Sequence, residues 1–189
     1  MADRHFLHLH YFQAAGVAEP DLGGDHLAEF LRRLMWALSA EGELLSVFGH
    51  PSAGTSYLDA LPPAPPLPWS WLSQDEFDHY LASYAAGGPG RELAGGLQSY
   101  RAADADWQLA RQWAGTSIDQ PSLLVMGEHD PVRTFAPPDL EAQRTWLTGL
   151  RDVVLVAQAG HFVQQEQPAA FNDVLLAWLG DHSVGHAER

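Results

Sequence analysis

The sequence predicts an α/β protein in which a helical region precedes a strand, helix, strand, helix unit. Two short apolar runs, residues 123–126 and 153–156, are typical of strands that are covered on both faces. A stretch of helical character, residues 138–150, lies between them, and a parallel pair connected in this way is a right-handed βαβ unit. Before these strands, apolar residues recur mainly at helical spacing. We therefore divide the chain into a helical region, residues 1–117, and an α/β region, residues 118–189.

The first half of the helical region contains one clear helix and one loop. Asp25 is a suitable N-cap for the helix, which should end near Gly42. Its apolar residues lie every three or four positions, namely Leu27, Phe30, Leu31, Leu34, Met35 and Leu38. Residues 49–68 are rich in glycine and proline, which favours an extended loop. In the lead-in segment, His8 and His10 would share one face of a strand.

Further helices are indicated by their capping residues. Ser73 and Glu76 form a capping box, and the helix that it opens should end at the Gly-Gly-Pro of residues 87–89. A following helical stretch should contain Leu93, Leu97, Tyr100 and Trp107. Pro168 fits the first position of the last helix. The apolar stripe of that helix is Phe171, Val174, Leu175, Trp178 and Leu179.

An aspartate and a histidine each follow one of the predicted strands. Asp130 lies in Gly-Glu-His-Asp-Pro-Val, residues 127–132, and His161 lies in Gly-His-Phe-Val-Gln-Gln-Glu, residues 160–166. The carboxyl ends of parallel strands form the edge where open α/β sheets bind ligands. A carboxylate that orients a histidine is the acid and base half of a catalytic triad. No Gly-x-Asp-x-Gly or Gly-x-Ser-x-Gly elbow supplies a nucleophile in this sequence.

Two stretches in the helical region carry further motifs. Residues 11–19 contain Tyr-Phe-Gln and Gly-Val-Ala-Glu, and residues 97–107 contain Leu-Gln-Ser-Tyr-Arg and a tryptophan. Together with residues 127–132 and 160–166, they resemble the α/β-hydrolases, and within them the soluble epoxide hydrolases of bacterial type. The resemblance implies a partial α/β-hydrolase fold, in which a helical cap is joined to the C-terminal βαβα portion of a parallel sheet. We expect a truncated gene, a wrongly assigned start codon or a split protein, because the nucleophile-bearing N-terminal part has no counterpart here.

The resemblance also implies a reaction, the hydrolysis of an epoxide to a vicinal diol through an aspartyl ester. By this resemblance His161 is the base that activates water, Asp130 is its partner, and Tyr100 is an acid for the epoxide oxygen. A phenol suits the acid role because its pKa near 10 keeps it protonated at neutral pH. The second cap tyrosine of the family would fall at His8. We expect His8 to bind substrate, and whether it replaces that tyrosine stays open.

Several assignments have a structural alternative. Phe162 and Trp107 either line the substrate pocket or pack in the core, and Tyr100 could be a packing residue on its helix. No metal site is predicted, because the N-terminal histidines lack acidic partners, and no cofactor is predicted. Two other functions remain open: another α/β-hydrolase, such as a haloalkane dehalogenase or an esterase, and a non-catalytic module for binding or dimerisation.

The amino-acid composition of the chain limits the kinds of partner and environment that we expect for it. The 24 acidic and 10 basic residues give a formal charge of −14, which disfavours nucleic acid. The absence of cysteine excludes disulfides and thiolate catalysis. No apolar run approaches the roughly 20 residues of a membrane span, and no secretory signal precedes the first motif, so we predict a cytoplasmic protein without membrane contact.

The predicted two-stranded sheet bears on partners and on activity. An unpaired strand edge would favour self-association, or pairing with a separately encoded N-terminal half. The expected substrate of the complete enzyme is a small-molecule epoxide. We predict no turnover by this chain alone.

Overall fold

The computed structural model describes residues 4–135 and 140–183, which form two compact units. The first unit contains residues 4–37 and 42–114, and the second contains residues 38–41 and the described residues from 115 onward. The break after residue 114 lies near the predicted division at residue 117. Residues 38–41 belong to the second unit although they follow a helix of the first, which the sequence did not indicate.

The first unit is helical. Its helices are α1 (His8–Gln13), α2 (Ala18–Leu22), α3 (Leu27–Leu38, whose last residue belongs to the second unit), α4 (Tyr57–Ala60), α5 (Gln74–Ala85), α6 (Ala94–Arg101) and α7 (Ala103–Ala110). Short 3-10 helices cover Gly24–His26, Leu44–Gly49 and Arg111–Trp113. Its core is built from apolar side chains with 5% or less of their surface exposed, among them Phe6, Phe12, Leu22, Phe30, Tyr57, Leu72 and Leu97.

Helix α3 has the predicted apolar face but different ends. Phe30, Leu31 and Met35 are buried. The prediction of Asp25 as the N-cap is wrong, because residues Gly24–His26 already form a 3-10 turn that leads directly into the helix. The helix also ends at Leu38, four residues before Gly42, where the chain passes into the second unit.

The two capping boxes of the first unit differ in how well they were predicted. The Ser73 box is confirmed, since its hydroxyl accepts the N–H of Glu76 and the Glu76 carboxylate accepts the N–H of Ser73. A second box, Ser56 with Asp59, opens α4 inside the predicted loop. That part of the loop prediction is wrong, because the cap allows a short turn that buries Tyr57.

Two other elements also differ from the prediction. His8 and His10 lie on helix α1, and the expected strand is wrong. The helix is favoured because it buries Phe12, four residues after His8, in the aromatic core. The single helix expected to carry both Tyr100 and Trp107 is two helices, α6 and α7, which meet at Ala102.

The second unit contains both strands of the sheet in the described residues. Its elements are β1 (Ser122–Gly127), α8 (Val132–Phe135), α9 (Leu140–Trp146), β2 (Leu150–Val156), α10 (Val163–Glu166) and α11 (Pro168–Ser183). The strands pair in parallel from Ser122↔Leu150 to Gly127↔Val156, which confirms the predicted βαβ arrangement. Helix α9 is shorter than the predicted crossover helix, since Leu150 already belongs to β2; the predicted start at Pro138 lies outside the described residues.

Helix α11 begins at Pro168 as predicted. Phe171 packs with Val125 against a small core of Val156, Ala159 and Val163. Val174, Leu175 and Trp178 of the predicted stripe are partly buried like Phe171, whereas Leu179 is 47% exposed. Leu176, outside the stripe, is 66% exposed. Within residues 4–135 and 140–183, the helices are all too short or too polar to cross a membrane.

Candidate active site

Asp130 lies three residues after the end of β1, in a loop that its own carboxylate stabilises. Its side chain is 8% exposed. Oδ1 accepts the backbone N–H of Val132 at 2.8 Å, which leaves Oδ2 available for another partner. Arg133 donates from Nη1 to the carbonyl of Glu128, closing the same turn. The carboxylate is therefore held at the carboxyl end of β1 before any contact with the histidine is considered.

His161 follows the carboxyl end of the neighbouring strand, β2. Its Nδ1 lies 3.1 Å from Oδ2 of Asp130, so the two loops that the sequence singled out meet in the structure. A proton on Nδ1 is donated to the carboxylate, and Nε2 then carries the free lone pair of a general base. The imidazole is 42% exposed while its partner is buried, which suits a base that must reach water.

Glycine allows the two loops to approach each other closely. A Cβ on Gly127 would lie 2.0 Å from the carbonyl oxygen of Gly160 and 2.4 Å from that of Ala159. Two backbone hydrogen bonds join the loops directly after Gly127, from Glu128 N–H to Val156 and from His129 N–H to Ala159, each at 2.9 Å. Any side chain at position 127 would push the aspartate and histidine loops apart.

The first unit places Tyr100 in an aromatic group. Its ring lies 4.8 Å from Phe12 and 5.9 Å edge-on from His8, and the His8 ring stacks on Tyr57 at 5.7 Å with an interplanar angle of 11°. Tyr57 is 2% exposed, whereas His8 and Tyr100 are half-buried. His8 therefore shares one aromatic environment with the predicted phenolic acid.

Burial shifts the pKa values of Tyr100 and His8 in this aromatic group. Burial, followed by the charge of Tyr84, raises the pKa of Tyr100 above its usual 10.0. Burial lowers the pKa of His8 below its usual 6.5. At neutral pH a protonated phenol and a neutral imidazole therefore stand side by side, and each can donate a hydrogen bond without carrying a net charge.

Tyr11, another tyrosine near the cap motif, has a different role. Its hydroxyl donates to Asp21 at 2.7 Å, and burial and that carboxylate raise the pKa of Tyr11. It lines a cavity of about 550 Å³ together with His26, Ser56 and Asp59. The predicted site residues Tyr100, His8 and Trp107 are not among the residues that line this cavity.

Arg101 connects the helices that carry His8 and Tyr100. Its guanidinium lies 2.8 Å from Glu19 on α2 and donates to the carbonyl of Phe12 on α1 at 3.3 Å. Burial raises the pKa of Glu19, but hydrogen bonds and the charge of Arg101 outweigh it and hold that pKa below its usual range. Sequence reasoning missed this ion pair, although both residues lie in the motif stretches.

The two other predicted pocket residues occupy different environments. Phe162 lies next to His161, with its ring edge-on at 5.5 Å. Trp107 is 67% exposed on α7, with the guanidinium of Arg111 5.6 Å from its ring centre. This exposure argues against the alternative that Trp107 packs in the core, and its role in substrate binding stays a prediction. In the described part of the chain, no group of three or more His, Asp or Glu side chains could hold a metal ion.

Known proteins with similar sequences include epoxide hydrolases. No protein-family model matches the chain. The sequence is 35% identical over 175 residues to epoxide hydrolase A of Mycobacterium tuberculosis, a match that covers 92% of this chain and 52% of that protein.

Solved structures give the same result. Epoxide hydrolase A from Mycobacterium thermoresistibile is 35% identical with a TM-score of 0.80, over 94% of this chain and 53% of that one. An epoxide hydrolase from an endophytic Streptomyces is 33% identical with a TM-score of 0.77, over 94% and 52% of the two chains. The chain spans about half the length of the relatives it matches.

Proposed function

Because the chain is related to the epoxide hydrolases of the α/β-hydrolase superfamily, we propose that it supplies the water-activating pair and the oxygen-side donors of an epoxide hydrolase. The observation that carries the proposal is the 3.1 Å contact between His161 Nδ1 and Asp130 Oδ2 at the ends of adjacent parallel strands. In this proposal the carboxylate nucleophile is supplied by a segment outside these 189 residues, because they contain no Gly-x-Asp-x-Gly or Gly-x-Ser-x-Gly elbow.

The proposed reaction has two steps. In the first, the carboxylate attacks an epoxide carbon, the carbon–oxygen bond breaks, and the oxygen receives a proton from Tyr100. In the second, His161 removes a proton from water through Nε2 as the water attacks the ester carbonyl. Asp130 stabilises the imidazolium that forms. The tetrahedral intermediate collapses and the bond to the alkoxide breaks. The second proton of the attacking water passes to the departing alkoxide, so that the diol leaves and the carboxylate is restored. Tyr100 regains its proton from the imidazolium through solvent.

We assign His8 to the same oxygen as a second donor. The resemblance to the epoxide hydrolases implies two cap phenols, and by that resemblance the second would fall at His8. A neutral imidazole can donate from one ring nitrogen, and its lowered pKa supports the neutral form at pH 7. The contact between the His8 and Tyr100 rings supports a shared task.

The proposal extends to partners and location. We propose that the chain self-associates or pairs with a separate N-terminal half in the cytoplasm. In the described residues β1 pairs with β2 alone, and large apolar side chains are exposed in the second unit, including Ile118, Trp146, Leu155, Leu176 and Leu179. Such surfaces favour association.

A chimera tests the proposed activity. The chain is fused behind the half of Mycobacterium thermoresistibile epoxide hydrolase A that its match does not cover, and diol formation from a simple epoxide is measured. We expect turnover by the chimera, none by the chain alone, and a loss of turnover in the chimera with His161→Ala. Turnover that survives His161→Ala, or diol formation by the purified chain alone, would contradict the proposal.

A further inference from the structure

Glu166 is a buried carboxylate next to the histidine loop. Its side chain is 9% exposed. Oε2 accepts the backbone N–H groups of Ala40 at 2.8 Å and Gly160 at 2.9 Å, and Oε1 accepts that of Phe162 at 3.1 Å. Two of these three donors flank His161 in the sequence, so the carboxylate holds the backbone on both sides of the base.

The remaining N–H of the loop is also held. The N–H of His161 donates to the carbonyl of Leu38 at 3.0 Å. A Cβ on Gly160 would lie 2.3 Å from the nitrogen of Ala40, so the loop packs directly on residues 38–40, within the same unit. Glu166 bonds to both of these segments and fastens one to the other.

A carboxylate is the side chain that this position requires. The polar partners described for Glu166 are three backbone N–H groups, and several such donors stabilise an ionised carboxylate in a buried place. A glutamine has one acceptor oxygen, and its amide nitrogen would face N–H groups that are themselves donors. Substitution by glutamine would therefore leave at least one buried N–H unpaired, which is costly.

We propose that Glu166 is a positioning residue that keeps the His161 imidazole within hydrogen-bond distance of Asp130. It acts through the backbone of residues 160–162 and touches neither substrate nor the reacting atoms. Its importance for catalysis rests on the proposed function, whereas its effect on the histidine geometry does not depend on any substrate.

Nuclear magnetic resonance on the chain itself tests this role. Histidine is labelled with ¹⁵N, the Nδ1–H signal of His161 is assigned with His161→Gln, and its exchange with water is measured in Glu166→Gln. We expect the signal to disappear or to exchange at least ~10-fold faster, at temperatures where circular dichroism shows the fold intact. Asp173→Asn, on the exposed surface of α11, is the matched control and should leave the signal unchanged.

Two further results complete the test. Glu166→Asp keeps the charge on a shorter side chain and should give an intermediate exchange rate; it decides the question if Glu166→Gln does not fold. A variant that melts at a lower temperature but keeps the parent's Nδ1–H signal would overturn the proposal, because Glu166 would then only stabilise the fold. An altered signal together with an inactive chimera would instead reject the proposed function and leave this inference standing.

Discussion

Asp130 bonds to His161 with one carboxylate oxygen and to its own loop with the other. Oδ2 lies 3.1 Å from Nδ1 of the imidazole, and Oδ1 accepts the N–H of Val132 at 2.8 Å. Because the second bond fixes the carboxylate in the turn after β1, its orientation does not depend on the histidine. In the proposed reaction, the pair is therefore preorganised for the charge that forms when the imidazole takes a proton.

Replacing Asp130 by asparagine should disable the base without unfolding the chain. The amide oxygen can still accept the N–H of Val132, but its NH₂ group would face Nδ1 and favour the tautomer with the proton on Nε2. We expect kcat of the chimera to fall by roughly 10² to 10⁴.

The control for that experiment is Glu128→Gln, in the same loop, where the side chain is 51% exposed. It should change kcat by less than about twofold, because it does not alter the imidazole tautomer. Equal losses of kcat in Asp130→Asn and Glu128→Gln would contradict the assigned role of Asp130.

Gly127→Ala should separate the loop of Asp130 from the loop of His161. Its methyl group would overlap the carbonyls of Gly160 and Ala159, so we expect a loss of about 1–3 kcal/mol in the free energy of unfolding. The methyl group of Gly180→Ala in α11 would meet no atom within 4 Å. This control should leave the free energy of unfolding unchanged or raise it by up to ~1 kcal/mol. Urea unfolding measures both. A Gly127→Ala variant as stable as the parent would show that the loops can relax at no cost.

The elements that the sequence predicted well depend on local chemistry. The apolar runs of both strands, the Ser73 capping box and Pro168 at the start of α11 each depend on residues a few positions apart. The relationship of Asp130 to His161 was also predictable, because a parallel βαβ unit brings the ends of its strands together.

The features that were missed depend on distant partners. The bond from Ala40 to Glu166 joins residues 126 positions apart, and the ion pair of Arg101 with Glu19 joins two different helices. Helix α1 forms where a strand was expected, because burial of Phe12 in the aromatic core outweighs the local pattern. Such contacts have no signature in a short stretch of sequence.

His8 should make the stability of the chain depend on pH. Its folded pKa is below 6.5, so the unfolded chain binds the proton more readily. The contribution of neutral His8 to the free energy of unfolding is therefore fully present above pH 6.5. It is lost as the pH falls from 6.5 through the folded pKa of His8. His8→Phe keeps a ring against Tyr57 and removes this titration. Urea unfolding at about pH 8 and about pH 5 should show a smaller acid loss in His8→Phe than in the parent; equal losses would count against burial of a neutral imidazole.

Self-association should depend on the exposed leucines of α11. Leu176 and Leu179 are 66% and 47% exposed, and replacing both by glutamate puts charge into an apolar contact. We expect sedimentation to show oligomers of the parent and a shift toward monomer in the double variant. Asn172→Glu, at an exposed position of the same helix, should behave like the parent. A parent chain that sediments as a monomer at high concentration would remove the basis for this prediction.

The most direct test of the acid and base assignment is a single-turnover measurement of the covalent ester by mass spectrometry. In the chimera with His161→Ala, one equivalent of epoxide should add to the protein and remain, because attack needs the nucleophile and Tyr100 while release needs the base. With Tyr100→Phe, the same adduct should form more slowly. Rapid release of diol by the His161→Ala chimera, with no accumulated ester, would contradict the account.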